Sequence, residues 1–211
     1  NSHEHIHLFI EAARHAFADR YHYMADPSFV DVPLKGLLSK DYAAEIASQI
    51  DMNSASLESN SELPPWNYYS STALHDPWPF EGRSKPSVLT NPSVSSSDDC
   101  TTHFGTVDKN GNLVSCTQTA VSSFGSKVIT KGLGILWNNG MIWFNAKPGY
   151  ANSIEPWKRP LVNAAPLLVT KKGKPYASIG SPGGRKVNNA NTNVALNMLD
   201  FDMGPQEAIT V

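Results

Sequence analysis

Asp98-Asp-Cys-Thr-Thr-His-Phe-Gly-Thr-Val-Asp108 closes a long polar run and opens a strand. Residues 51 to 100 before it carry Ser, Pro and Asn throughout, including Pro64-Pro65, Pro77, Pro79, Pro86 and Pro92, and keep no hydrophobic period. From Thr101 the texture turns to β. Thr102 to Val107 and Leu113 to Thr119 alternate or run apolar, and Asp108-Lys-Asn-Gly111 joins them as a hairpin turn with glycine where positive φ is needed. A threonine pair at the head of a strand is ordinary, because threonine suits a pleated surface. The material downstream gives this pair its weight: Thr117-Gln-Thr119 on the next strand and Gly180-Ser-Pro-Gly-Gly184 ahead of a helix.

Upstream, Phe9, Ala13, Ala16 and Phe17 recur at helical spacing between His7 and Tyr21, with Glu11, Arg14, Asp19 and Arg20 on other faces. Asp26-Pro27-Ser28 ends that helix. Ser39 can cap a second, with Ala43, Ile46, Ala47 and Ile50 as its apolar stripe. His3, His5 and His7 invite a metal reading, but a helical metalloprotease signature needs two histidines four apart with a Glu beside the first. The spacing His3-Glu4-His5-Ile6-His7 therefore reads as a helix start, with no metal expected. Within 51 to 100, Trp66, Tyr68, Tyr69, Trp78 and Phe80 predict that part of the run packs down, since linkers are poor in aromatics. A run this long reads as a processing segment or a surface loop, and composition does not choose between them.

Downstream of the hairpin, a glycine-rich passage leads through Gly125, Gly132 and Gly134 to Asn138-Asn139-Gly140, and Met141 to Phe144 read as a short strand. After Pro148-Gly149 and Lys158-Arg-Pro160, strands are predicted near Leu167 to Thr170 and over Tyr176 to Ile179, with Lys171-Lys-Gly-Lys174 turning between them. A helix follows over Val187 to Leu199. Helices, a strand-rich middle and a further helix predict an α+β layered domain.

The chain has 211 residues, enough for one sizeable core, and a formal net charge of -2 that gives no reason to propose nucleic acid as partner. No apolar run approaches the roughly 20 residues that span a membrane. Two cysteines, Cys100 and Cys116, cannot build a disulfide framework. Asn1 already stands inside a helical pattern, and Met203-Gly-Pro-Gln-Glu opens a new helix just before Val211, so both ends read as cuts.

Several stretches together resemble the gamma-glutamyltransferase family of N-terminal-nucleophile hydrolases. They are Ala18-Asp-Arg20, Asp26-Pro27, Thr101-Thr102, Asp108-Lys-Asn-Gly-Asn112, Phe124-Gly125, Asn138-Asn139, Ala146-Lys-Pro-Gly149, Lys158-Arg-Pro-Leu161 and Ser181-Pro-Gly-Gly184. The resemblance implies a four-layer αββα sandwich, present here in part. It implies a precursor that cuts itself between Cys100 and Thr101 into a large and a small subunit, with no cofactor. Residues 1–50 would then close the large subunit, 51–100 lead to the processing site, and 101–211 open the small, catalytic subunit. Thr101 would be the nucleophile, Thr119 its hydroxyl partner, and Gly183 and Gly184 the oxyanion donors.

This arrangement makes chemical sense. A threonine hydroxyl needs a base, and a free α-amino group with pKa of about 7.7–8.0 can serve on the same residue. Glycine lets the backbone approach a developing oxyanion, close to a helix start. Ser181 is followed by Pro182 and has no base beside it in sequence, so it is not read as a nucleophile.

The departures from the family pattern lie in the donor pocket. Val121, Gly140 and Trp143 stand where the typical transpeptidase has Asn, Gln and Asp, and Val162-Asn163 replace a Ser-Ser pair. The resemblance therefore implies a small-molecule amide other than a γ-glutamyl compound, such as oxamate or a glutaryl-type amide. Two alternatives stand beside it: a γ-glutamyl hydrolase or transferase with a rebuilt pocket, and a non-catalytic fragment of the same fold.

Overall fold

The computed structural model describes residues 2–55, 73–86 and 100–211. Trp66, Tyr68 and Tyr69 lie outside these residues, as do Asp98 and Asp99. The described chain mixes helix and strand and divides into two compact units. The first comprises Asn1–Ser95 and Met141–Leu161, the second Ser96–Gly140 and Val162–Val211.

In the first unit, α1 (His3–Tyr23) begins where the Ser2 hydroxyl accepts the His5 N–H at 3.2 Å, with Glu4 in its first turn and Arg20 and His22 in its last. The charges of Glu4 and Arg20 suit the helix dipole. The face it buries differs from the expected apolar one. Phe9, Ala13 and Phe17 are half-buried and Ala16 is exposed, while Glu11, His15, Ala18, Asp19 and His22 are buried. The reason is a supply of partners: Arg14 donates to Glu11 (2.9 Å), His15 Nδ1 meets His75 Nε2 (2.6 Å), and the Tyr42 hydroxyl donates to Asp19 (2.7 Å). A buried polar group is tolerated once such a bond replaces water.

Among the described residues three shorter helices follow: α2 (Leu34–Leu37), α3 (Lys40–Ser48) and α4 (Trp78–Glu81). Ser39 caps α3 as expected, accepting from the Asp41 and Tyr42 N–H groups. The predicted stripe on α3 is not what packs. Ala43 and Ala47 are exposed, and the buried residue is Tyr42, whose ring lies 5.4 Å from that of Phe80. Between α2 and α4 the backbones touch: a Cβ on Gly36 would strike the Pro77 carbonyl, and Glu81 accepts the Gly36 N–H at 2.7 Å. Met141 to Phe144, expected as a strand, instead continue a 3₁₀ turn over Gly140–Trp143, started where Asn138 Oδ1 accepts the Gly140 N–H at 2.8 Å. Later in the same segment Arg159 grips Asp26. Its backbone N–H donates to Oδ2 at 2.8 Å and its guanidinium to Oδ1 at 2.7 Å.

The second unit is built on two antiparallel hairpins. Strand β1 (Thr101–Val107) pairs with β2 (Leu113–Thr119) in the register Thr101 to Thr119, and β3 (Leu167–Lys171) pairs with β4 (Lys174–Ile179) with a shift between Val169 and Thr170. The first turn closes because Asp108 Oδ1 accepts the N–H groups of Asn110 and Asn112, each at 2.8 Å, and Gly111 takes φ +82°. Helix α5 (Val187–Leu199) packs on the β3–β4 hairpin, and α6 (Pro205–Ala208) follows it. Their core joins Ile179, Met198 and Ala208 to Leu167, Val169, Ala177 and Val194. The hairpins also meet each other: the Ser115 hydroxyl donates to the Ile179 carbonyl and the Ser178 hydroxyl to the Val114 carbonyl, both at 3.3 Å.

Candidate active site

Strand geometry positions the candidate nucleophile. Side chains alternate along β1, so Thr101 and His103 share one face, and the register sets Thr119 and Thr117 opposite them on β2. The Thr101 hydroxyl donates to Thr119 Oγ1 at 3.0 Å, and Thr119 Oγ1 also accepts the Val121 N–H at 2.8 Å. The Cys100 carbonyl, on the bond expected to be cut, lies 3.3 Å from the Thr119 hydroxyl and accepts the Ala120 N–H at 3.2 Å. The Thr119 hydroxyl thus touches both the Thr101 hydroxyl and the carbonyl oxygen of the Cys100–Thr101 bond. A hydroxyl can donate one proton and accept two hydrogen bonds, which suits that double duty.

The loop after β4 supplies the glycines. Gly183 has φ +131° and Gly184 φ +54°, and they lead through the 3₁₀ turn Gly184–Lys186 into α5. A side chain at Gly183 would be strained whatever the space, so glycine there answers a backbone requirement. Ser181 hydrogen-bonds Asn191 Oδ1 at 2.9 Å, and Asn191, 2 % exposed, donates to the Ala165 carbonyl at 2.7 Å. That pairing ties the loop to α5 and gives Ser181 an anchoring contact. A cavity of about 580 Å³ opens beside the loop, walled by His103, Gly180, Ser181, Asn191, Val194 and Ile209 among others.

The tentative pocket residues fall in several places. Val121 is buried next to Thr119 and holds φ +71°. That conformation costs a β-branched residue roughly 1–2 kcal/mol, whereas Asn visits it readily. Gly140 is buried, and the Asn139 N–H donates to the Ala120 carbonyl at 3.0 Å, so residues 138–140 lie along 120–122. Val162 and Asn163 occupy the run leading into β3. Trp143 belongs to the first unit, where its carbonyl accepts the Asn152 side-chain N–H at 2.7 Å.

Sequence reasoning passed over His103 and Ser115, and quoted Thr117 only as part of Thr117-Gln-Thr119 without giving it a role. His103 Nδ1 lies 3.0 Å from Thr117 Oγ1 and Nε2 lies 3.5 Å from Ser115 Oγ. Counting by twos from Thr101 and Thr119 finds all three, because period-2 alternation puts them on the nucleophile's face. Among the described residues no group of three or more His, Cys, Asp or Glu is arranged to hold a metal ion, and no helix is long and apolar enough to cross a membrane.

A family model described as Gamma-glutamyltranspeptidase matches residues 1–211. Over 214 aligned residues the chain is 38% identical to a Glutathione hydrolase proenzyme from Pseudomonas sp. (strain A14), covering 97% of this chain and 32% of that protein. Over 204 residues it is 34% identical to an Acylase ACY 1 proenzyme from Pseudomonas sp. (strain V22), covering 97% and 31% respectively. The structure of a cephalosporin acylase from Bacillus halodurans matches it with a TM-score of 0.70 at 25% identity, over 100% of this chain and 32% of that one. The chain spans about a third of the length of the curated relatives it matches.

Proposed function

We propose, from the premise that this chain belongs to the gamma-glutamyltranspeptidase family, that it is part of a self-processing amidohydrolase with Thr101 as nucleophile. The observation that carries the reading is the 3.0 Å hydroxyl pair of Thr101 and Thr119 at the head of the hairpin, with Thr119 also against the Cys100 carbonyl. In the precursor the Thr101 oxygen attacks the Cys100 carbonyl carbon. Its proton passes to the Thr101 nitrogen as the C–N bond breaks, leaving an ester. The Ala120 N–H and the Thr119 hydroxyl support the oxygen that gains charge. That shift frees the α-amine, and water then hydrolyses the ester, releasing the Cys100 carboxyl group and restoring the Thr101 hydroxyl. That amine takes the hydroxyl proton in each later turnover and passes it to the leaving nitrogen of the substrate amide. Gly183 and Gly184 offer backbone N–H groups to the second oxyanion.

The same premise extends the observed α+β arrangement to a four-layer αββα sandwich. In it, residues 1–50 close the large subunit, 51–100 lead to the cut and 101–211 open the small subunit. Val121, Gly140, Trp143, Val162 and Asn163 support an acyl group lacking the γ-glutamyl α-amino and α-carboxylate handles, such as oxamate or a glutaryl amide. A site that has lost hydrogen-bonding partners favours substrates that do not need them. The relatedness to an Acylase ACY 1 proenzyme agrees with this reading. The 38% identity to a Glutathione hydrolase proenzyme favours the second reading, a γ-glutamyl donor.

Processed full-length protein, with Thr101→Ala as control, is offered glutaryl-p-nitroanilide, γ-glutamyl-p-nitroanilide and oxamate. Thr101-dependent turnover that is faster on glutaryl-p-nitroanilide or oxamate supports the first reading, and faster turnover of the γ-glutamyl compound supports the second. No turnover of any of them removes both.

A further inference from the structure

The imidazole of His103 stands between the two parts of the candidate site. It follows Thr101 by two residues on β1, so it shares the nucleophile's face. Its Nδ1 lies 3.0 Å from Thr117 Oγ1 and its Nε2 3.5 Å from Ser115 Oγ, and the Ser115 hydroxyl in turn donates to the Ile179 carbonyl at 3.3 Å. The ring lies flat against Gly180, the residue that opens the glycine loop: a Cβ built on Gly180 would fall onto the ring, against Cε1, Nδ1 and Cγ. Gly180 has no left-handed φ, unlike Gly183 and Gly184. The absence of a side chain at 180 thus answers a need for space, and His103 fills that space.

We propose that His103 is a positioning residue that sets the spacing between the Thr101 nucleophile and the Gly180–Gly184 loop by resting its ring on Gly180. The inference rests on the reading of Thr101 given above. The ring is held in its plane by Thr117 and Ser115, both fixed by the β1–β2 register. Any movement of the ring toward the neighbouring cavity, which His103 and Gly180 both wall, gives up those two contacts. The nucleophile strand and the oxyanion loop are then two rigid parts with one spacer between them. Reacting groups displaced by about 1 Å lose up to roughly a hundredfold in rate, so a spacer of this kind is visible in kinetics.

The test uses the full-length precursor and four variants: Thr101→Ala, His103→Ala, Gly180→Ala and the double His103→Ala/Gly180→Ala. Self-cleavage is timed by gel, and turnover of whichever p-nitroanilide the wild type accepts is measured on the processed protein. Melting temperatures are taken in the Thr101→Ala background, where chemistry is off, so that misfolding is seen separately. His103→Ala is expected to lower kcat by about tenfold or more with KM within about twofold. Gly180→Ala is expected to do the same, and the double variant to be no slower than the slower single one, because both changes disturb one contact. If Gly180→Ala does not fold, recovery of folded precursor in the double variant stands in for the rate comparison. His103→Ala that cleaves and turns over at the wild-type rate overturns the proposal, and so do effects that multiply in the double variant. A wild type that stays uncut overturns the reading of Thr101 and this proposal together, whereas a cleaving wild type with an indifferent His103→Ala overturns this proposal alone.

Discussion

The two compact units bury polar side chains in opposite ways. In the first, α1 buries Glu11, His15 and Asp19 against charged or titratable neighbours. In the second, the polar row under Thr101 is made of hydroxyls and one imidazole, all half-buried. Among the described residues, every group driven far from its ordinary protonation range sits in the first unit. Burial pushes Asp19 up to about 6 and Tyr23 up to about 12, and it lifts Tyr42 well above the usual phenol range. Burial, with the charge of His15, lowers His75 to about 4, and hydrogen bonds from Arg159 hold Asp26 far below the usual carboxylate range.

Perturbed titration commonly marks an active site. Under the proposed function it marks scaffold, and the chemistry of a self-cutting threonine would explain why. The base it needs is its own α-amine, which is an amide nitrogen until the chain is cut, so nothing at Thr101 has yet to be tuned.

If neutral hydroxyls carry the chemistry, removing one should cost rate and little stability. Thr119→Val is expected to slow self-cleavage by on the order of 10²–10³-fold, a loss comparable to deleting an oxyanion donor, with the melting temperature nearly unchanged. A time course on a denaturing gel measures the first and thermal unfolding the second. A cleavage rate within threefold of wild type would break the contrast between the units.

The next effect lies in the scaffold. If the chain is cut before Thr101, Asp26 and Arg159 lie on different fragments, and their three hydrogen bonds help hold the two together. Asp26→Ala is expected to lower the melting temperature by several degrees and to let the fragments part at lower urea, seen by size exclusion. Self-cleavage in the intact precursor should proceed. A processed variant as cohesive as wild type would show that the pair is dispensable.

The smallest effect expected is the pH response of the histidine pair. His75 in the folded chain sits near 4, below its ordinary 6.5, so the unfolded chain binds that proton more readily. Its contribution is complete above about pH 6.5 and is lost as pH falls through 6.5 toward 4. His15, lowered by burial, works in the same direction. Asp19, raised to about 6, works oppositely, losing its contribution as pH rises from 3.8 through 6. Comparing wild type with His75→Gln isolates the histidine. The wild type should lose more stability between pH 6.5 and 4 than the variant, and equal slopes would contradict the assignment.

How much of this was legible in the residues follows from which forces act locally. The β1–β2 hairpin, the Ser39 cap and α5 were readable because turn chemistry, capping and period each act within a few residues. The Thr101–Thr119 pairing was an implication of the family resemblance, and the hairpin register supplies its geometry. The buried face of α1 was not readable, since Glu11, His15 and Asp19 are made tolerable by Arg14, His75 and Tyr42, and two of those three partners stand far along the chain. Met141 to Phe144 missed for a local reason: the Asn138 side chain captures the Gly140 N–H and tips the backbone into a 3₁₀ turn. His103 was within reach of a count by twos, but its contact with Gly180 depends on how the two hairpins stack.

The most direct test of the central claim is intact mass and N-terminal sequencing of the full-length parent protein, wild type beside Thr101→Ala. The account predicts a wild-type fragment that begins Thr-Thr-His-Phe and is absent from the variant. An uncut wild type, or the same fragment from Thr101→Ala, would contradict it.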